Sequence, residues 1–226
     1  MSLQCTVLAN CGLLLSCEGG SLLVDAPNHP HSGFDCVSDS ETELMAQELS
    51  PYNHLCGAIF THRHPDHYSR TRLDILLHGR SDFAVFTPNG SSQEKGRLSL
   101  GPFLVRYFTA SHSGEEYADV PHCVFLVECG TSRLYITGDA DWKDPIHERV
   151  ISSFHPTVGF WNPNYLFHED GRALLKQLPK NVIYHLPVSA PDRFGIGRKC
   201  NTDYQRYRDE LPGTVLSGQI PPVLML

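Results

Sequence analysis

Thr61-His62-Arg63-His64-Pro65-Asp66-His67 decides the reading of this chain. Three histidines and one aspartate fall within the six positions from His62 to His67. The apolar run 57–61 ahead of them reads as a short buried strand that runs straight into the turn. Alternate residues of an extended segment point the same way, so His62 and His64 can face one ion. Asp66 and His67 lie where the chain bends toward a helical stretch at 70–78, and can face a second ion. The plain alternative is a solvated loop that happens to be rich in histidine.

Farther along, several strand-like runs end in a residue that can ligate a metal. His112 follows 103–110, Asp139 follows 134–138 and His185 follows 182–184. Taken singly, His112 reads equally well as a surface histidine, Asp139 as a turn residue after Gly138, and His185 as a satisfied core histidine. Together with the first turn, they form an ordered series of ligand types at strand ends. Imidazole and carboxylate are donors that zinc accepts, and such a set leaves coordination positions for water.

The rest of the pattern is that of a layered α/β chain. Strands are expected at 4–9, 12–17 and 21–25, with a hairpin signal at Glu18-Gly19-Gly20. A loop rich in Pro, His and Gly at 26–34 precedes a helix at 38–49. Further strands are expected at 83–87, 103–109, 123–129, 134–137, 157–161 and 182–185, and helices at 143–154, 169–177 and 200–211. No repeat or linker divides the chain, so residues 1–226 read as a single domain.

Composition bounds the function. With 226 residues, 41% hydrophobic and 19% charged, the chain can bury a substantial core and is not a disordered type. No apolar run approaches the 18 or more residues of a membrane span. No Lys or Arg precedes Arg63, so the net charge of −7 comes entirely from the N-terminal part. That distribution argues against a secretory signal and against binding a phosphate backbone through that part, and leaves room for a local basic patch at 193–199. The eight cysteines, none in a C-x-x-C pair, then read as reduced and mostly buried thiols of a cytoplasmic protein.

On these residues the sequence resembles the metallo-β-lactamase superfamily over roughly residues 3 to 217. The resemblance implies an αββα sandwich, two facing mixed sheets with helices outside and metals at one edge. It implies that His62, His64 and His112 hold one metal, that Asp66, His67 and His185 hold another, and that Asp139 bridges them. It implies that Asp25 orients the His-rich turn from behind, and that Asp66 also orients the attacking water. The cofactors implied are two divalent ions, Zn2+ first, with Mn2+ or Fe2+ as alternatives. Two ions about 3.5–4 Å apart can share a water and lower its pKa toward roughly 7, which points to hydrolysis.

Within the superfamily, 9–15 and 134–142 look like the branch of ascorbate-6-phosphate lactonase and N-acylphosphatidylethanolamine phospholipase D. The expected substrate is a small lactone, ester or phosphodiester. The competing readings are a nuclease of the same fold and an iron-binding redox or non-catalytic protein. Homo-oligomerisation is left open.

Substrate residues are expected on loops at the metal edge. His29 and His31 follow Asp25 and are candidates for the rim, and Tyr68 follows the ligand turn. Tyr165 and His168 follow the strand at 157–161, as substrate contacts or, for His168, a proton donor. Arg193 lies among glycines after the last ligand and could bind an anionic group.

Overall fold

The computed structural model describes residues 3–31, 33–90, 95–186, 192–219 and 223–226. Two mixed β-sheets face each other, and helices cover both outer faces. The first sheet has the order β13-β1-β2-β3-β4-β5. Its strands are β1 (Gln4–Leu8), β2 (Gly12–Cys17), β3 (Gly20–Val24), β4 (Leu55–Ile59), β5 (Ala84–Phe86) and β13 (Leu224–Met225). The second sheet has the order β12-β11-β10-β9-β8-β7-β6. It comprises β6 (Lys95–Leu100), β7 (Phe103–Thr109), β8 (Cys123–Cys129), β9 (Ser132–Ile136), β10 (Val158–Trp161), β11 (Asn181–Ile183) and β12 (Thr214–Leu216).

Each sheet is antiparallel on one side and parallel on the other, and β13 joins β1 antiparallel. β1 to β3 and β6 to β9 pair antiparallel, whereas β3 to β5 and β9 to β12 pair parallel. Because both faces of the central strands are covered, their sequences are continuously apolar. Leu13 and Leu15 enter the core between the sheets, while Leu14 faces the helices. Phe125 and Val127 likewise point inward, and Val124 and Leu126 outward.

Helices α1 (Asp39–Ala46) and α2 (Arg70–Leu77) cover the first sheet. Ser38 caps α1 in a capping box with Glu41, which satisfies two backbone N–H groups at its start. Helices α3 (Ile146–Phe154), α4 (Asn164–Phe167), α5 (Glu169–Leu175) and α6 (Ile196–Tyr207) cover the second.

The structure corrects several expected elements. The helix expected from 143 begins at Ile146, with Pro145 at its cap, because proline suits a helix start and not its interior. The last helix begins at Ile196 and ends at Tyr207, rather than spanning 200–211. Strands β6, β12 and β13 and the single-turn α4 were not expected from the sequence.

Candidate metal centre

The seven ligand-type residues converge at one edge, where strand ends of both sheets meet. β4 delivers the turn 61–67, whose shape is fixed by His64: its carbonyl accepts the backbone N–H of His67 (3.0 Å) and of Tyr68 (2.9 Å). His112 lies beyond β7, Asp139 beyond β9 and His185 beyond β11. The loops of His112 and Asp139 are pinned together. Ser113 N–H donates to the Asp139 carbonyl at 2.8 Å, and Asp141 N–H to the Ser111 carbonyl at 2.8 Å.

Two donor clusters result. Ligand atoms of His62, His64 and His112 lie within 4.8 Å of one another, and those of Asp66, His67, Asp139 and His185 form a second such group. Asp139 faces both. Its Oδ2 is 3.4 Å from His67 Nε2 and 3.9 Å from Nε2 of both His62 and His112. The Nε2 atoms of His62, His67 and His112 are buried and have no hydrogen-bond partner. Stranding three such nitrogens together is costly unless something accepts their lone pairs. A divalent cation does so, and the donor set suits one.

The other ring nitrogens are held from behind. Asp25 Oδ1 accepts the Thr61 N–H (2.7 Å), and Oδ2 accepts the Thr61 hydroxyl (2.9 Å) and His67 Nδ1–H (3.0 Å). His112 Nδ1–H donates to the Ser113 carbonyl at 2.7 Å. Each bond fixes a tautomer and turns Nε2 into the cluster.

Electrostatics divide the clusters. Burial, with neighbouring imidazoles, pushes His62 well below the usual histidine range and lowers His64 too, so both are neutral donors. In the second cluster burial is outweighed. His185 and His67 hold the Asp139 carboxyl well below the usual carboxylate range, and Asp139 and Asp66 lift His185 to about 9.

Sequence reasoning missed several neighbours. His122 is buried, and its Nε2 accepts the backbone N–H of Asp139 at 3.1 Å. Burial keeps it neutral, well below the usual range. No motif marks it; its one signal is its place just ahead of β8, whose start lies opposite the end of β7. The Tyr117 ring lies 4.9 Å from His64 and 5.0 Å from His112, and the Phe34 ring 4.7 Å from His185. Cys11, fully buried, has its sulfur within 4.8 Å of ligand atoms of His67 and His185. Its thiol donates to the Asp66 carbonyl at 2.9 Å and so braces the turn.

Gly138 has φ +52, and a Cβ there would stand 2.6 Å from the Thr61 hydroxyl. Only glycine lets the Asp139 loop approach Thr61 this closely while holding that backbone conformation.

The expected substrate residues are scattered. Tyr165 is fully buried, its hydroxyl on the Ala140 carbonyl (3.2 Å) and beside His147 Nε2 (2.9 Å), so it supports the Asp139 loop from below and presents nothing to a substrate. Tyr68 packs its ring against Phe60 at 5.0 Å, on the helix side of the first sheet. His168 stacks on Trp142 with ring centres 3.9 Å apart, and does not line the cavity that opens on Asp139 and His185. Arg193 lies beside Gly33 in a separate groove with Arg198 and Lys199. His29 and His31 are exposed, and His29 N–H donates to the Pro65 carbonyl at 2.7 Å. Asn162 does line the cavity and donates to the Gly138 carbonyl at 2.9 Å.

Solved structures share this architecture over the whole chain. A possible metal-dependent hydrolase from Veillonella parvula is 17% identical, covered 100% on both sides, with a TM-score of 0.69. The metallo-β-lactamase fold protein YhfI from Bacillus subtilis is 16% identical, again covered 100% on both sides, with a TM-score of 0.60. The chain has the metallo-β-lactamase fold. A metallo hydrolase from Ignicoccus hospitalis, Igni18, shares that fold at 14% identity, with 100% of this chain and 98% of that one covered and a TM-score of 0.60. No family model matches the sequence, and no curated protein does.

Proposed function

We propose that this chain is a metal-dependent hydrolase of the metallo-β-lactamase superfamily with a two-ion site. Zn2+ is the first choice of ion, and Mn2+ or Fe2+ suit the same donors. The observation that carries the reading is Asp139 Oδ2, placed 3.4–3.9 Å from three buried, unpartnered Nε2 atoms. His62, His64 and His112 would hold the first ion; Asp66, His67 and His185 the second, with Asp139 shared. The metal-dependent hydrolases of the same fold support the reaction class.

Ions held there supply a water that ionises near neutral pH and a positive field for the developing oxyanion. The chain's own residues do the positioning. Asp25 and Thr61 hold His67, His122 holds the Asp139 backbone, and Ser113 holds His112. Asp66, mostly buried with Oδ2 3.3 Å from His185 Nε2, is the carboxylate in place to orient a water. The substrates proposed are small lactones, esters or phosphodiesters; the lactone rests on the sequence likeness to the ascorbate-6-phosphate lactonase branch.

The test is elemental analysis of protein purified without added metal, repeated for His64→Ala. About two ions per chain, reduced in the variant, support the reading. No bound metal after reconstitution overturns it. Iron with visible-range absorbance redirects it to redox chemistry.

A further inference from the structure

We infer that the cavity before the metal centre selects an uncharged acyl substrate with an apolar flank over phosphate esters and anionic esters. This narrows the hydrolase reading and rests on it. The cavity holds about 310 Å³ and reaches His112, Asp139 and His185. Aromatic rings stand at both ends of the centre: Tyr117 beside His64 and His112, Phe34 beside His185. Phe167 and Ile196 complete an apolar wall. Such walls reward an alkyl or aryl group by removing it from water.

Charge points the same way. Among the described lining residues, the one charged side chain that is not a candidate ligand is acidic, Glu116. Phosphate sites ordinarily add an Arg fork or a Lys to their metals. Two cations near this wall are engaged elsewhere, and Arg193 lines a separate groove. Lys199 Nζ sits 3.5 Å over the Phe167 ring and 2.7 Å from Asp203, and Arg172 stacks on Tyr207 while donating to the Leu166 carbonyl. Residues 187–191, outside the described residues, contain no Lys or Arg in sequence. The uncharged polar side chains of the lining, Ser113, Asn162 and Asn164, bond to one another and to the Gly138 carbonyl, and add no positive charge to the cavity.

The reaction is ordinary hydrolysis. Water adds to the acyl carbon, the acyl–oxygen bond breaks, one water proton passes to the leaving oxygen, and the acid is released.

The test uses the full chain loaded with metal. Turnover is compared for p-nitrophenyl valerate, its matched anionic ester mono-p-nitrophenyl glutarate, and bis-p-nitrophenyl phosphate, each relative to its uncatalysed rate. The valerate is expected to lead the glutarate at least tenfold in kcat/KM, and the phosphodiester to gain least. Glu116→Lys, at an exposed position, is expected to shrink the valerate lead at least fivefold, mainly through KM. A preference for the glutarate or the phosphodiester, or a ratio unmoved by Glu116→Lys, overturns this inference and leaves the hydrolase reading standing. No turnover of any of the three by protein holding two ions overturns both.

Discussion

The two donor clusters share one edge but not one chemistry. The first consists of three imidazoles, two of them held neutral by burial, and in it the Nε2 atoms of His62 and His112 are buried without a hydrogen-bond partner. The second contains two carboxylates that already pair with histidines, Asp139 Oδ1 at 3.0 Å and Asp66 Oδ2 at 3.3 Å from His185. The first is therefore preorganised for a cation and frustrated without one. The second satisfies His185 by internal ion pairs, which an incoming cation must displace, and leaves His67 Nε2 as its one orphaned nitrogen. Frustration of this kind marks a binding site more sharply than the presence of charge does.

Asp139 is where the comparison can be broken outright. Its replacement by Ala removes the one side chain that faces both clusters, and both ions should be lost, with turnover, in elemental analysis and kinetics of the same preparation. Retention of two ions would mean that the clusters are independent. Single replacements sharpen the contrast: His112→Ala should lose one ion and keep the second cluster's, whereas His185→Ala should do the reverse. Metal titration with a chromophoric chelator reads out each.

Next in size is Asp25→Ala. It frees His67 Nδ1 and leaves the buried Thr61 N–H unpaired. A loss of about 10–100-fold in metal affinity is expected, since outer partners tune their ligands by that much. Thermal unfolding of the metal-free protein should also show a loss of about 1–3 kcal/mol from the stranded donor. His122→Leu removes the partner of the Asp139 backbone N–H and alters the packing against the His62 and His112 rings. It should weaken the metals by about tenfold, at the low end of that outer-partner range. Smallest is Tyr165→Phe, which removes the hydroxyl bond to the Ala140 carbonyl. About 1 kcal/mol of stability should go while metal content holds at two, measured by calorimetry and elemental analysis.

What could be read from the sequence followed the physics of each part. The convergence of these donor residues was legible because the turn 61–67 is local and because His112, Asp139 and His185 each follow a strand whose apolar run is itself visible. The layered α/β class was legible for the same reason, its central strands being buried on both faces, while the sandwich itself followed from the family resemblance. β6 escaped because it is an edge strand with alternating exposure in Lys-Gly-Arg-Leu-Ser-Leu, and β12 and β13 because three- and two-residue strands leave no period to detect. Tyr165 illustrates the opposite failure. Its place after β10 suggested the rim, but a one-turn helix points it inward, and direction within a single turn is not written in chain order. His122, Phe34 and Tyr117 reach the centre through contacts that exist only once loops from distant segments meet.

Gly138 against Thr61 has one more consequence. Thr61 belongs to the first sheet's strand ends and Gly138 to the second's, and the joint between them has no clearance. The same seam carries backbone bonds from Cys123 N–H to the Thr61 carbonyl (2.9 Å) and from His185 N–H to the Asn10 carbonyl (3.2 Å). Every candidate ligand before residue 70 comes from one half-shell and every one after it from the other. Cations bound here would act as rivets through two plates, and their binding energy would count toward keeping the plates together. At a free ion concentration a thousandfold above Kd, that linkage amounts to about 4 kcal/mol. Metal bound at this seam would thus fasten the sandwich as well as serve chemistry.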